Sequence, residues 1–214
     1  KVKYDYDTNT GRLQNNGAEE IKSGIILIDD GFGNVTKTET KRTYILINGQ
    51  AKIDEVTTHT EIDNIDGSHS IASHNDWIPC ESKVKYDYDT DTGKLQNDGA
   101  EELTPEIILM DDGFGNVNKT ETKRTYILIN GQAKIDTLTT HTEIDNIDGS
   151  HSIASHNDWI PCGSKVKYDY DTNTGKLQND GAEELTPEII LMDDGFGNVT
   201  KTETKRTYTL INGQ

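Results

Sequence analysis

Val35-Thr36-Lys37-Thr38-Glu39-Thr40-Lys41-Arg42-Thr43-Tyr44-Ile45-Leu46-Ile47 runs directly into Asn48-Gly49. The run holds no Gly or Pro and is rich in β-branched side chains, which suit a pleated strand. Asn-Gly then supplies two residues that tolerate positive φ, as a tight hairpin turn requires. The reading is a long strand that doubles back on itself. Its first half is polar on both faces, and only Tyr44–Ile47 reads as buried.

The same run returns, with few substitutions, at Val117–Ile129 before Asn130-Gly131 and at Val199–Ile211 before Asn212-Gly213. The offset is 82 residues throughout, and 12 of 82 positions differ between the first two copies. Repeat 1 therefore spans residues 1–82, repeat 2 residues 83–164, and residues 165–214 are the first 50 residues of a third. Gln214 is equivalent to Gln50 and Gln132, so the sequence reads as one stretch of a longer array, or as a subunit completed by its neighbours. Repetition adds length and periodic surfaces rather than a single convergent active site, and no enzyme is expected.

Signals on either side of the long strand agree. Val2–Asp7 alternates Tyr4 and Tyr6 with Asp5 and Asp7, a strand pattern. Thr8–Gly11 reads as a turn and Arg12–Gln14 as a short returning strand. Gly17–Glu20 could make one helical turn, stopped in later copies by Pro105 and Pro187. Ile25–Ile28 is the most apolar run and reads as a buried strand. A Thr-rich strand follows Asn48-Gly49, then a turn at Asp66-Gly67, a short strand over Ser68–His74, and Trp77-Ile78-Pro79-Cys80. The fold class expected is all-β: tandem 82-residue repeats as successive sandwich-like beads, with strand exchange between neighbours as an option. A continuous solenoid is disfavoured, because no sub-period of roughly 20–30 residues exists.

Composition narrows the function classes. The net charge is −17, with 38 acidic against 21 basic residues, the reverse of a nucleic-acid footprint. No apolar run approaches the roughly 18 residues of a membrane span. Hydrophobic residues make up only 31% of the chain, against roughly 45–50% in globular domains. A small unit with so thin a core recruits metal, disulfide or a neighbour.

Candidates for each are visible. Asp5-x-Asp7-x-Asn9-x-Gly11 recurs as Asp87, Asp89, Asp91 and as Asp169, Asp171, Asn173, and alternate oxygen ligands entering a turn suit calcium. The pattern resembles the start of an EF-hand loop, but its glycine stands one place late and the terminal glutamate is missing. Weaker oxygen clusters are Asp29-Asp30 with Asn34, and Asp63, Asp66 and Asp76. His59, His69 and His74, with His141, His151 and His156, lie beside carboxylates in the second part of each repeat and are a lesser zinc candidate. Cys80 and Cys162 are expected in disulfides. Beads placed about 30 Å apart, as the size of an 82-residue unit suggests, would put those bonds to neighbouring chains or across a pseudo-two-fold. Sequons at Asn34, Asn118 and Asn198 are possible glycosylation sites.

The hairpin from Tyr4-Asp5-Tyr6-Asp7 to Gly11-Arg12-Leu13 resembles the YD repeats of bacterial Rhs-type surface and toxin proteins, over about a dozen residues per period. At class level the array is similar to extracellular repeat fibres and bacterial surface adhesins. The expectation is a structural subunit of an extracellular filament or cell-surface stalk, stabilised by calcium and disulfides, whose partners are copies of itself. The alternative is a surface adhesin binding carbohydrate or a host surface. Neither nucleic acid nor membrane insertion is expected.

Overall fold

A computed structural model describes residues 1–70, 81–152 and 163–211. Cys80, Cys162, Trp77, His74, His156 and Asp76 lie outside the described residues. Within them the protein is all-β, with no helix.

Repeat 1 contains β1 (Val2–Tyr6), β2 (Leu13–Glu20), β3 (Gly24–Asp29), β4 (Val35–Ile47), β5 (Gln50–Asp63) and β6 (His69–Ser70). Repeat 2 follows with β7 (Glu81–Tyr88), β8 (Leu95–Thr104), β9 (Glu106–Asp111), β10 (Val117–Ile129), β11 (Gln132–Asp145) and β12 (His151–Ser152). The third copy contributes β13 (Gly163–Tyr170), β14 (Leu177–Thr186), β15 (Glu188–Asp193) and β16 (Val199–Thr204).

In repeats 1 and 2 the long strand and its hairpin are where the sequence put them; in the third copy the strand ends at Thr204. β4 and β5 pair antiparallel from Ile47↔Gln50 out to Val35↔Asp63. The turn between them places Asn48 at φ 50° and Gly49 at φ 75°. Both are left-handed, as a primed turn demands. β3 pairs with the outer half of β4, making a three-stranded meander, and β9–β10–β11 repeats it.

Above each meander lies a two-stranded hairpin, β1–β2 or β7–β8. Gly17–Glu20 is strand, not a helical turn: Ala18 pairs with Tyr4, and Val2 with Glu20. Glycine is required there by a close approach. A Cβ on Gly99, which sits at φ 80°, would lie 3.0 Å from the Ala133 Cβ and 3.1 Å from Leu128 Cδ1. The hairpin thus seats directly on the β10–β11 turn region. Ala18, Ile47, Ala100, Ile129 and Val166 are the buried apolar residues of the resulting small core. Pro105 falls in the break between β8 and β9, where no ladder N–H is needed.

A bulge bends β5. Arg42 pairs with Val56 but Tyr44 with Ile53, so Thr43 faces two residues, and its Oγ1 accepts the Glu55 N–H at 3.1 Å. Beyond this bulge the outer edge of β5 meets the next repeat. That joint is the main organising feature of the molecule.

Candidate functional site

Two backbone ladders cross each repeat boundary. The first pairs β5 with β7, from Glu55↔Lys85 to His59↔Glu81. The second runs through β6, which pairs with β5 at Asp63↔His69 on one side and with β9 at His69↔Asp111 and Ser70↔Met110 on the other. Repeat 2 joins the third copy in the same way, through β11–β13 and β12–β15. Among the described residues, one sheet of 14 strands therefore runs through all three copies, and only the β1–β2 hairpin stands apart from it. The units are not isolated beads, although the polar first half of β4 sits inside its own repeat, between β3 and β5.

Side chains reinforce the ladders. Ser70 and Ser152 are fully buried at 0% exposure, and Ser70 Oγ accepts the Ile62 N–H at 2.9 Å. A serine is the residue small enough to enter the joint and polar enough to satisfy the Ile62 amide there. Lys83 lies 3.4 Å from Glu55, and Lys85 lies 3.9 Å from Asp54. At the second joint Thr137 replaces Glu55.

The joint explains the apolar strand. Ile25, Ile26, Leu27 and Ile28 do form a strand, but they are 49–66% exposed rather than buried. Their counterparts in β9 and β15 are half-buried along their whole length. The difference is tertiary: β6 and β12 cover β9 and β15, whereas the outer edge of β3 is open. β1 is open in the same way, and Tyr4 and Tyr6 are each 54% exposed while their counterparts are partly covered.

The acidic turns have a local account. Asp7 Oδ1 accepts from the Asn9 N–H at 2.9 Å, the Thr10 N–H at 2.7 Å and the Thr10 hydroxyl at 3.0 Å. Asp89 and Asp171 cap their turns equivalently, with Asp91 N–H and Asn173 N–H donating in turn. Asp5 points elsewhere: its two oxygens accept from Gln14 Nε2 and Asn15 Nδ2, and Asp87 and Asp169 repeat the pattern. These donors hold the carboxyls of Asp7 and Asp5 below their ordinary range, the Thr10 amide foremost for Asp7 and the Gln14 amide for Asp5. Asp5 and Asp7 are thus engaged separately, and Asn9 meets Asp7 through its backbone amide. Among the described residues, no three His, Cys, Asp or Glu side chains converge as a metal centre.

Asp30 behaves likewise, accepting from the Phe32 N–H at 2.7 Å and from Asn34 Nδ2 at 2.5 Å. Asn34 Oδ1 in turn accepts the Ile65 N–H, tying the β3–β4 turn to the β5–β6 turn. The amide that a glycan would occupy at Asn34 is therefore already bonded, and Asn198 is bound to Asp194 in the same manner. Asn118 stands differently, exposed on β10. The histidines have local partners too: His59 faces Glu61 at 3.1 Å, His141 faces Glu143 at 3.2 Å, and His69 faces the Gly67 carbonyl.

Two periodic surfaces were not legible in the sequence. An open groove of about 620 Å3 lies between hairpin and meander in repeat 1, lined by Asp5, Asn15, Glu20, Arg42 and Tyr44. It recurs at about 610 Å3 in repeat 2 and about 790 Å3 in the third copy. Turn tips carry exposed Phe32, Ile65, Phe114, Ile147 and Phe196, each 74–89% accessible. Gly113 approaches the Gly67 carbonyl closely, so tips of successive repeats sit side by side.

Comparison with protein-family models, curated proteins and solved structures finds no significant match. Among the described residues no helix is long and apolar enough to cross a membrane.

Proposed function

We propose that this chain is a structural segment of an extracellular filament or surface stalk, built by welding tandem repeats into one continuous sheet. The observation that carries the reading is the pair of backbone ladders at each joint, β5–β7 and β6–β9 at the first and β11–β13 and β12–β15 at the second. A flexible string of binding modules has no use for such a joint. A load-bearing rod does, because stretching it must break several ladder hydrogen bonds together.

The geometry sets a repeat length. Along the main sheet each copy adds four strand positions, such as β3, β4, β5 and β6. At ~4.8 Å per strand, one repeat advances the array by ~19 Å along the hydrogen-bonding direction. Negative-stain electron microscopy and solution scattering of the purified chain test the proposal, with calcium and after chelation. Stiff rods or longer filaments with a ~19 Å axial repeat support it. Compact single particles with no axial repeat sink it.

The periodic grooves favour a second reading, a surface adhesin. Tyr44 or Tyr126 beside amide, carboxylate and guanidinium groups offers the ring and polar fork that sugars use. Glycan-array binding by the chain, lost in Tyr126→Ala, would favour that role. Calcium and disulfides are proposed only as auxiliary staples, the former at the Asp5–Asn9, Asp87–Asp91 and Asp169–Asn173 turns and the latter at Cys80 and Cys162.

A further inference from the structure

We infer that the edge of the array formed by the β3–β4 and β5–β6 turns and their counterparts is a docking surface for a cationic polypeptide, one that mixes lysine or arginine with large apolar side chains. Such a partner decorates the array rather than building it, and goes beyond the structural role above.

These turns form one row. Within repeat 1 the Ile65 N–H donates to Asn34 Oδ1 at 3.0 Å, and a Cβ on Gly33 would lie 3.0 Å from Ile65 Cδ1, so Ile65 lies against the β3–β4 turn. Ile147 and Asn116 repeat the bond in repeat 2, also at 3.0 Å. Between repeats, a Cβ on Gly113 would come 3.1 Å from the Gly67 carbonyl oxygen, and one on Gly195 would come 3.1 Å from that of Gly149. The row thus continues across both joints. Its crest is apolar. Phe114 and Ile147 belong to the repeat with a neighbour on each side, yet they are 76% and 75% exposed, as bare as Phe32 at 79% and Ile65 at 74%. Their exposure is therefore not an end effect. Turn chemistry does not call for a phenylalanine: Phe32 contributes its backbone N–H to Asp30 Oδ1 at 2.7 Å while its ring stands in solvent. Large apolar side chains in a row rimmed by polar groups mark an interaction surface.

Charge selects the occupant. Residues 29–36 and 62–70 hold Asp29, Asp30, Asp63 and Asp66 and no lysine or arginine. Residues 111–118 and 144–152 repeat this with Asp111, Asp112, Asp145 and Asp148. A second copy docking edge to edge would bring two acidic rows together, and like charges across an interface oppose association. An anionic lipid surface is opposed for the same reason. A cationic polypeptide is attracted along the whole row, and its apolar side chains can cover Phe32 and Ile65 or their counterparts. Because the tips recur at the ~19 Å advance of the sheet, one extended partner can engage several repeats, and its avidity grows with each.

The test titrates the 214-residue chain into a fluorescein-labelled peptide of lysine, leucine and glycine at low salt, and into a second peptide with serine in place of leucine, following anisotropy. The leucine peptide should bind at least about tenfold more tightly than the serine peptide. Phe32→Ser, Phe114→Ser and Phe196→Ser together should remove that preference. Asp66→Asn with Asp148→Asn, which keeps an oxygen for the Ser68 and Ser150 amides, should weaken both peptides about two- to fivefold and flatten their salt dependence. All five positions are exposed, and thermal melts check that each variant folds; the peptide pair decides even if one does not. Absence of binding, equal binding of the two peptides, or an unchanged preference in the folded serine variant overturns the inference, the last two by leaving only diffuse charge attraction. So does a dimer by sedimentation that the serine variant loses, since the occupant is then a second copy. Flotation of the parent chain, but not the serine variant, with phosphatidylcholine vesicles overturns it in favour of a lipid surface.

Discussion

Asn48 donates its side-chain amide to the backbone carbonyl of Asp91 at 2.7 Å, reaching from the hairpin turn of one repeat to the acidic turn of the next. Asn130 does the same to Asn173 at 2.8 Å. One residue thus serves two ends, since Asn48 also holds the left-handed position of its own turn at φ 50°. The acidic turn is a docking point for the preceding repeat, and this accounts for its place at the joint without reference to any ligand.

Asn48→Gly keeps the positive φ but deletes the amide. It should lower stability by about 0.5–1.5 kcal/mol, the worth of one net hydrogen bond. Urea unfolding of N48G, N130G and the double variant measures this. An unchanged midpoint in all three would show that the bridge contributes nothing.

Gly99→Ala should be worse than Gly131→Ala. Both glycines have positive φ, but only at Gly99 would the new Cβ meet Ala133 and Leu128, at 3.0 and 3.1 Å; Gly131 has open space. Backbone strain alone costs about 1–2 kcal/mol, and overpacking adds about 1–3. Equal thermal shifts in the two variants would mean that the hairpin does not seat on the meander as described.

Glu102 is 5% exposed in its side chain and accepts from both the Arg124 N–H at 2.7 Å and Nη1 at 3.2 Å. Glu102→Ala strands those donors and should cost about 1.5–3 kcal/mol. Glu106 also binds Arg124, yet repeat 1 has Gly24 at that place and still forms β3. Glu106→Gly should therefore cost no more than about 1 kcal/mol. The reverse ranking in denaturant melts would contradict the placement of the pair.

Asp7, Asp89 and Asp171 have carboxyl pKa values held below the ordinary one, first by the amides of Thr10, Thr92 and Thr174. Groups with a depressed folded pKa stabilise the fold above the unfolded value and lose that contribution as pH falls through the folded value. The window lies below about pH 4. Acid also relieves the −17 charge, so the comparison must be between Asp89→Asn and the parent. The variant should show the shallower loss of stability below pH 4, and carboxyl NMR should find all three aspartates titrating below the ordinary aspartate value of about 3.9. A normal titration for Asp89 would remove the cap.

Because Asp7 Oδ1 already receives three donors, calcium must displace or share them to bind. Millimolar calcium should raise Tm by no more than about 2 °C over a chelated sample, the scale of about 0.5–1 kcal/mol in a chain this size. A rise of several times that, abolished in Asp5→Asn with Asp7→Asn, would raise calcium from an auxiliary staple to a principal one at these turns.

Much of the fold was legible. Val35–Ile47 with Asn48-Gly49 stated a strand and its turn, because β-branched periodicity and positive-φ residues act over a few neighbours. The same locality misled at Gly17–Glu20, where a helical turn was as reasonable as a strand until Tyr4 arrived to pair with Ala18. Ile25–Ile28 showed its limits from the other side: its apolar run correctly gave a strand, but its burial depends on whether β6 of another repeat lies against it. The aspartate pattern told that a turn was present and not which donors would use the oxygens.

By itself the sequence determined the all-β class, the 82-residue period and the hairpin turns. Each follows from backbone preferences spanning a handful of residues, or from copies that can be counted. Only the tertiary structure decided that Glu55–His59 would pair with Glu81–Lys85, that Ser70 would be buried in the joint, and that one sheet would run through every copy. Those outcomes depend on which edge of a strand is left free after its own hairpin has formed. No local pattern records that, because either edge of β5 offers the same backbone donors and acceptors.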